Sequence, residues 1–315
     1  MSQLLPAYSP GLVKALRKDD ARCQRAMVAI AECHGIPAQS ISPLSGGSTI
    51  VYALDDRNVV KLFAPIYAAD CERECSALAF LQGRTSTPTP ELIAHGALEG
   101  WPYVIMSRLQ GNLLCDVWDE IPRTNQLALC RQTGALLAEL HELPLEGLAP
   151  TLILDWATFQ AEQRRGCLQQ QAKGKLEAAW CNRIDAYLAT IPMPEAPRLA
   201  FLHTEMMREH LMVKQIDGQW RLSGYFDFEP SMTGDPEYDM GSIGLFFSKG
   251  DRALFRATVE GYGLDPENLD PHFSDRLMVH TLLHRYSNLQ WYLEFMPGGS
   301  EATSLGELAQ LWFAP

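Results

Sequence analysis

The spacing of the apolar residues differs between the two parts of the chain, and that difference limits the folds open to it. Between residues 41 and 107 apolar residues alternate with polar ones in four short stretches, whereas from Gly111 onward they recur mostly at helical spacing. In the first stretch TIVYALDD, a turn at Asp55–Asn58 and NVVKLF read as strand, turn, strand. PTPELIAHGALEGWPYVIMSRL reads as two further strands about a glycine turn, and Ala68–Gln82 between the two pairs reads as a helix. Ahead of them, Leu12, Leu16, Met27, Ile30 and Ala31 predict an amphipathic helix over residues 10–35. In the second stretch residues 125–142 predict an apolar helix ending near Pro144, and residues 156–190 predict further helices. Residues 200–228 predict short strands with a hairpin at Asp217–Gly218, and residues 250–294 are helical again. The expected fold is α+β with two lobes, a small β-rich one over residues 1–108 and a larger helical one over 109–315.

A chain of 315 residues can build a real core in both lobes. No apolar run reaches the ~18 residues of a membrane-spanning helix. The N-terminal MSQLLPAYSPGLVKALRKDD lacks the basic-then-apolar order of a signal peptide. A cytoplasmic monomer with no membrane partner is therefore expected. The formal net charge of −12 makes nucleic acid a poor partner. The acid is uneven: residues 201–315 hold 17 Asp and Glu against 8 Lys and Arg, a surplus that favours a cationic small molecule. None of the eight cysteines forms a C-x-x-C pair. Cys71 and Cys75 have the spacing of neighbours on one helix face, without a second ligand pair, and read as buried reduced thiols.

Lys61 sits in the middle of the apolar strand NVVKLF, where an ammonium is costly unless it meets an anion. Glu74 follows thirteen residues later on the next helix, placed to orient that lysine. The turn SGGST, with Gly46, Gly47 and Ser48, lets backbone amides approach an anion, although it is not a Walker loop. Ser107 and Leu109, at the end of the last strand of the first lobe, are placed to grip a purine through the backbone. Further on, FLHTEMMREHLMV puts His203, Glu205 and His210 on one loop, and YFDFEP puts Asp227 at the end of a strand. A carboxylate for the attacking hydroxyl, a metal ligand shortly after it and a second carboxylate on the following strand are the parts of a phosphoryl-transfer site. A rival reading takes His203, Glu205 and His210 as a facial triad for iron or zinc. In GDPEYDM, Asp239 is placed either to brace the loop by accepting backbone hydrogen bonds or to cap a helix. His280 and His284 are four apart and predict one helix face. Glu229, Asp275, His284, Trp291 and Glu294 are expected to line a substrate cleft.

Taken in order, these residues resemble the aminoglycoside phosphotransferase family, which has the protein-kinase-like fold, over nearly the whole chain from about Gln39 on. GDPEYD is the most specific match; HTEMMREH stands where the family usually has His-Gly-Asp followed by Asn. NVVKLF, WPYVIMSRLQG, LAELHELPL and ELAQLWF look similar to hygromycin B kinases that act on the destomic acid part of the drug. The resemblance implies ATP or GTP as co-substrate and Mg2+, or Mn2+, as the metal. It puts Lys61 on the nucleotide phosphates, Glu205 (beside His203) in the catalytic position, and His210 and Asp227 at the metal. Two residues depart from the pattern. Glu205 carries one methylene more than the usual aspartate, and His210 offers nitrogen where magnesium prefers oxygen. Those departures keep open a nucleotide-binding protein without turnover, and the family's range keeps open a kinase of an amino-alcohol metabolite.

Overall fold

The computed structural model describes residues 4–9, 11–44 and 49–315, so Gly46, Gly47 and Ser48 lie outside the described residues. The chain forms two compact units: residues 1–110 with 147–152 and 224–231, and residues 111–146 with 153–223 and 232–315.

The first unit is built on a five-stranded antiparallel sheet. Two helices precede it, α1 (Leu12–Leu16) and α2 (Asp20–Cys33). The single helix expected over residues 10–35 is thus broken, because Asp19 caps a new start by accepting from Arg22 N at 3.1 Å. The strands are β1 (Ile41–Pro43), β2 (Ile50–Leu54), β3 (Asn58–Leu62), β4 (Leu92–Leu98) and β5 (Trp101–Ser107), in the order β1-β2-β3-β5-β4. Between β3 and β4 comes α3 (Ala68–Leu81). Cys23, Met27 and Ile30 of α2 pack with Tyr52, Leu54, Val60, Leu62, Trp101 and Ile105 in one buried cluster. Each such large apolar side chain contributes ~1.5–3 kcal/mol on burial. Lys61 lies in the central strand β3, paired with Val51 of β2 and Val104 of β5. That register fixes its backbone on both sides.

The second unit is mainly helical. It opens with the short strand β6 (Asn112–Leu113), α4 (Leu114–Val117) and the long α5 (Arg123–His141), followed by α6 (Trp156–Lys173) and α7 (Ala178–Thr190). Strands β7 (Ala200–Leu202), β8 (Leu211–Ile216), β9 (Gln219–Tyr225) and β10 (Met232–Gly234) form two small sheets, β10-β7 and β6-β8-β9. The expected hairpin turns at Asp217 and Gly218, both at positive φ. Then come α8 (Glu237–Ser242), a π-helical turn over 243–247, α9 (Arg252–Tyr262), α10 (Phe273–Leu282), α11 (Leu289–Phe295) and α12 (Leu305–Phe313).

Two glycines set the spacing of the two helices that matter most for the site. A Cβ at Gly134 of α5 would lie 2.6 Å from Tyr262 N, and one at Gly261 of α9 would lie 2.6 Å from Arg131 Cα. Backbone meets backbone there, which carries His141 of α5 to Tyr262 at the end of α9. Among the described residues no helix is long and apolar enough to cross a membrane.

Candidate active site

In the first unit a single ammonium gathers three carboxylates. Lys61 Nζ lies 3.1 Å from Glu74 Oε2 and 2.9 Å from Glu229 Oε2, and it donates to Asp227 Oδ1. The lysine side chain is 7% exposed and Glu74 1%, while Asp227 and Glu229 keep 23% and 20%. Burial alone would push the lysine toward its neutral form, but Asp227, Glu74 and Glu229 outweigh it and hold its pKa well above the ordinary value. Lys61 is therefore a fixed cation. Arg73, one residue before Glu74, donates from Nε to Glu229 O at 2.9 Å and pairs with Asp70, which ties the 224–231 segment to α3.

Asp227 adopts φ 77°, a left-handed conformation that is uncommon outside glycine and enriched at functional positions. Three carboxyl groups face one ammonium in a part-buried spot, an acidic surplus even though burial pushes the Glu74 carboxyl up toward its neutral form. An all-oxygen donor set with that surplus suits a hard divalent cation. Glu74 is committed to Lys61 and nearly sealed, so Asp227 and Glu229 are the residues placed to hold such an ion. Glu229, expected to line a substrate cleft, lies beside Lys61. Ser107 accepts from Glu91 N at 2.8 Å and pairs with Asn58, and Leu109 packs on Gly224, where a Cβ would come within 2.7 Å of its Cδ1.

In the second unit the loop after β7 is held by its main chain. Asp239 of α8 is fully buried and accepts from His203 N at 3.0 Å and Thr204 N at 2.6 Å. Its Oδ2 also meets His141 Nε2 at 3.0 Å, and His141 Nδ1 meets the Tyr262 hydroxyl at 2.9 Å. Of the two roles open to Asp239 in the sequence, the backbone brace is the one it fills. Thr204 takes φ 70°, the strained point of the loop. His284 lies 3.3 Å from Thr204 O through Nε2 and 3.2 Å from Tyr286 N through Nδ1, so the neutral ring donates to the first and accepts from the second. His210 Nδ1 donates to Glu205 O at 2.8 Å. Glu205 therefore begins from a backbone fixed on both sides, with its side chain part-exposed.

His280 and His284 do not share one helix, although both rings lie against Tyr238. α10 ends at Leu282 with Leu283 as C-cap, so His284 belongs to the following turn. His280 stays in the helix, buried, with Nε2 3.7 Å from Asp235 Oδ2. Nor do His203, Glu205 and His210 make a metal triad. Among the described residues the side chains whose ligand atoms converge within 4.8 Å are Glu74, Asp227 and Glu229. Of the expected cleft residues, Asp275 accepts from the Tyr187 hydroxyl at 2.7 Å and Glu294 accepts from Gln290 Nε2 at 2.8 Å. Trp291 is 40% exposed and lies 4.9 Å from the ring of Phe295, itself 64% exposed. His141 and Tyr262 carry no expectation from the sequence; a histidine near the end of an apolar helix looks like core until its partner Asp239 is seen.

Burial pushes the His284 imidazole down to about 4. Between its ordinary pKa near 6.5 and that value, the unfolded chain takes up a proton that the folded chain refuses. Stability therefore falls as pH drops through this window. Chemical denaturation at pH 7 and pH 5 should show a smaller loss for His284→Asn, which keeps a donor for Thr204 O. Equal losses would show that the ring does not titrate in this way.

The chain belongs to the phosphotransferase enzyme family (APH), whose model matches residues 40–272. Viomycin phosphotransferase of Streptomyces vinaceus is 28% identical over 181 residues, 55% of this chain and 60% of that protein. Lysine-specific demethylase JMJ21 of Arabidopsis thaliana is 23% identical over 216 residues, 56% of this chain and 23% of that protein. The chain thus spans less than two thirds of the length of either. The GDP complex of aminoglycoside 2'-phosphotransferase-IIIa superposes with a TM-score of 0.71 at 17% identity, covering 91% of this chain and 98% of that one. The fold is the aminoglycoside phosphotransferase form of the kinase fold.

Proposed function

We propose that the protein is a small-molecule kinase that transfers the γ-phosphoryl of ATP or GTP to a hydroxyl of a cationic, aminoglycoside-like compound. The observation that carries this reading is the cluster of Lys61 with Glu74, Asp227 and Glu229. Residues 1–108 with the returning segment 224–231 would hold the nucleotide, and residues 109–315 apart from that segment would hold the acceptor. Lys61, kept protonated, would neutralise phosphate oxygens, while Glu74 fixes its direction. Ser107 and Leu109 would receive the base, and Gly46, Gly47 and Ser48 the phosphates. A divalent cation on Asp227 and Glu229 would supply charge neutralisation on the transferred phosphoryl. Glu205 would orient the acceptor hydroxyl and take its proton, with His203 and His210 fixing the loop. The exposed rings of Trp291 and Phe295, with Glu294 beside them, offer faces and a charge to ammonium groups.

Hygromycin B is the acceptor that the sequence likeness favours, and viomycin joins the panel through the named relative. The test is coupled ADP or GDP release with Mg2+ and ATP or GTP, against hygromycin B, other aminoglycosides, viomycin and simple amino alcohols. Turnover with an aminoglycoside supports the proposal. Turnover with amino alcohols alone would move the substrate to metabolism. Nucleotide binding in a thermal shift without turnover on any acceptor would make the protein a binder, and resistance of an expressing strain to hygromycin B checks the drug directly.

A further inference from the structure

The brace behind the Glu205 loop does not end at Asp239. The two oxygens of that carboxylate meet three donors: Thr204 N lies 2.6 Å from Oδ1, and His203 N and His141 Nε2 each lie 3.0 Å from Oδ2. His141, the last residue of α5, is buried, and its other nitrogen, Nδ1, lies 2.9 Å from the Tyr262 hydroxyl. The two rings meet edge to face, with centroids 5.5 Å apart. Tyr262 is the last residue of α9, and the glycine contacts between α5 and α9 bring the helices close enough for this bond.

For a neutral ring, hydrogen-bond chemistry allows one arrangement of protons in this row. A carboxylate only accepts, so His141 Nε2 carries the proton; the other tautomer would set a nitrogen lone pair 3.0 Å from Oδ2. Nδ1 is then an acceptor, and the Tyr262 hydroxyl is the donor that meets it. Burial, and then the nearby Asp239, push that hydroxyl up to about 12, so Tyr262 keeps its proton at neutral pH. The carboxylate torsion of an aspartate is soft. Two amides on a loop do not fix it by themselves, whereas an imidazole carried at the end of a long helix does.

We propose that His141 and Tyr262 are positioning residues for Glu205: Tyr262 holds the His141 tautomer that donates to Asp239, and that bond fixes the carboxylate to which the His203 and Thr204 amides are tied. Both act through Asp239 and the main chain. Glu205 follows Thr204 directly, so a loosened amide pair lets its carboxylate drift on the ångström scale at which rate is lost. Without Tyr262 the Nδ1 lone pair stays buried and unmet, a state that favours turning the ring or adding a second proton. The end of α9 thereby enters the geometry of the loop from behind. The effect on catalysis rests on the kinase reading, whereas the proton arrangement and the hold on the loop do not.

Long-range proton–nitrogen NMR spectra of the full chain at neutral pH should show the His141 ring neutral and protonated at Nε2, its signals assigned by their loss in His141→Gln. A ring protonated at Nδ1 alone, or at both nitrogens, would overturn the proposal. Tyr262→Phe should move those signals away from the Nε2–H form, and an unchanged ring would remove Tyr262 from the row. Hydrogen exchange read by mass spectrometry should be several-fold faster in His141→Leu for the peptide holding His203 and Thr204, with the β5 peptide unchanged as internal control. His141→Gln keeps an N–H for Asp239 and should keep the protection; a loss equal to that of His141→Leu would reduce His141 to a packing residue. With an acceptor in hand, His141→Leu should lower kcat by ~10–100-fold, the usual effect of losing a partner that orients a functional group, at nearly unchanged nucleotide KM, and His141→Gln should restore most of the rate. Wild-type kcat in a folded His141→Leu variant would overturn the proposal, and should that variant fail to fold, Tyr262→Phe and His141→Gln carry the test. Absence of turnover on every acceptor would strike the kinase reading alone, because the NMR and exchange results are read without it.

Discussion

Asp227→Asn should abolish phosphoryl transfer while the protein stays folded. Asparagine has nearly the shape of aspartate and tolerates the left-handed backbone that position 227 requires, so the substitution removes charge without removing fit. Lys61 would keep Glu74 and Glu229 as partners. What disappears is half of the carboxylate pair proposed for the divalent cation, and with it the neutralisation of the transferred phosphoryl. The expected loss is at least a thousandfold in kcat, on the scale of transition-state charge stabilisation. Coupled ADP release gives the rate, and an unchanged melting temperature shows that the variant is folded. Turnover within tenfold of wild type would remove Asp227 from the mechanism.

Glu205→Ala should lower kcat by a factor of ~10²–10⁴, the usual contribution of a positioned general base, with the nucleotide KM nearly unchanged. The split between the two constants matters. His203 and Thr204 are held through their backbone N–H groups by Asp239, Thr204 O by His284 and Glu205 O by His210, so removing the Glu205 carboxylate leaves the loop path intact. A variant that lost nucleotide affinity instead would assign Glu205 to the phosphates. A variant with wild-type turnover would leave the acceptor hydroxyl without a base at this position. Glu205→Asp adds a finer test. It draws the carboxylate back by about 1.5 Å, a displacement large enough to cost ~100-fold where geometry governs the rate.

The strands and the Lys61–Glu74 pair were legible because their signals are local: alternation, glycine turns, and a helix that follows directly on a strand. Asp239 was legible only in part, since the sequence left it open between a brace for the loop and a helix cap. Three features escaped the sequence, the first two because they depend on distances along the chain that no spacing rule spans. Glu229 meets a lysine on β3 from a segment that rejoins the first unit only after the long excursion through residues 153–223. His141 sits in an apolar helix, where its neighbours advertise a core position and its partner is on α8. His284 follows His280 at helical spacing, yet the helix stops between them, and that end was unreadable because nothing in the short stretch marks a C-cap. The break at Asp19, by contrast, carried a readable signal, an acidic N-cap at the centre of an apparently continuous pattern.

The loop at residues 203–205 is gripped by its amides and carbonyls. Such a scaffold separates the inheritance of form from the inheritance of chemistry. A substitution at 205 can alter reach or basicity without first having to reinvent the turn, whereas a change at Asp239 would release the backbone and one at His210 would free the Glu205 carbonyl. The unusual glutamate is then the kind of variation this architecture can sample freely, and the silent, sealed aspartate behind it is the residue that makes the sampling safe.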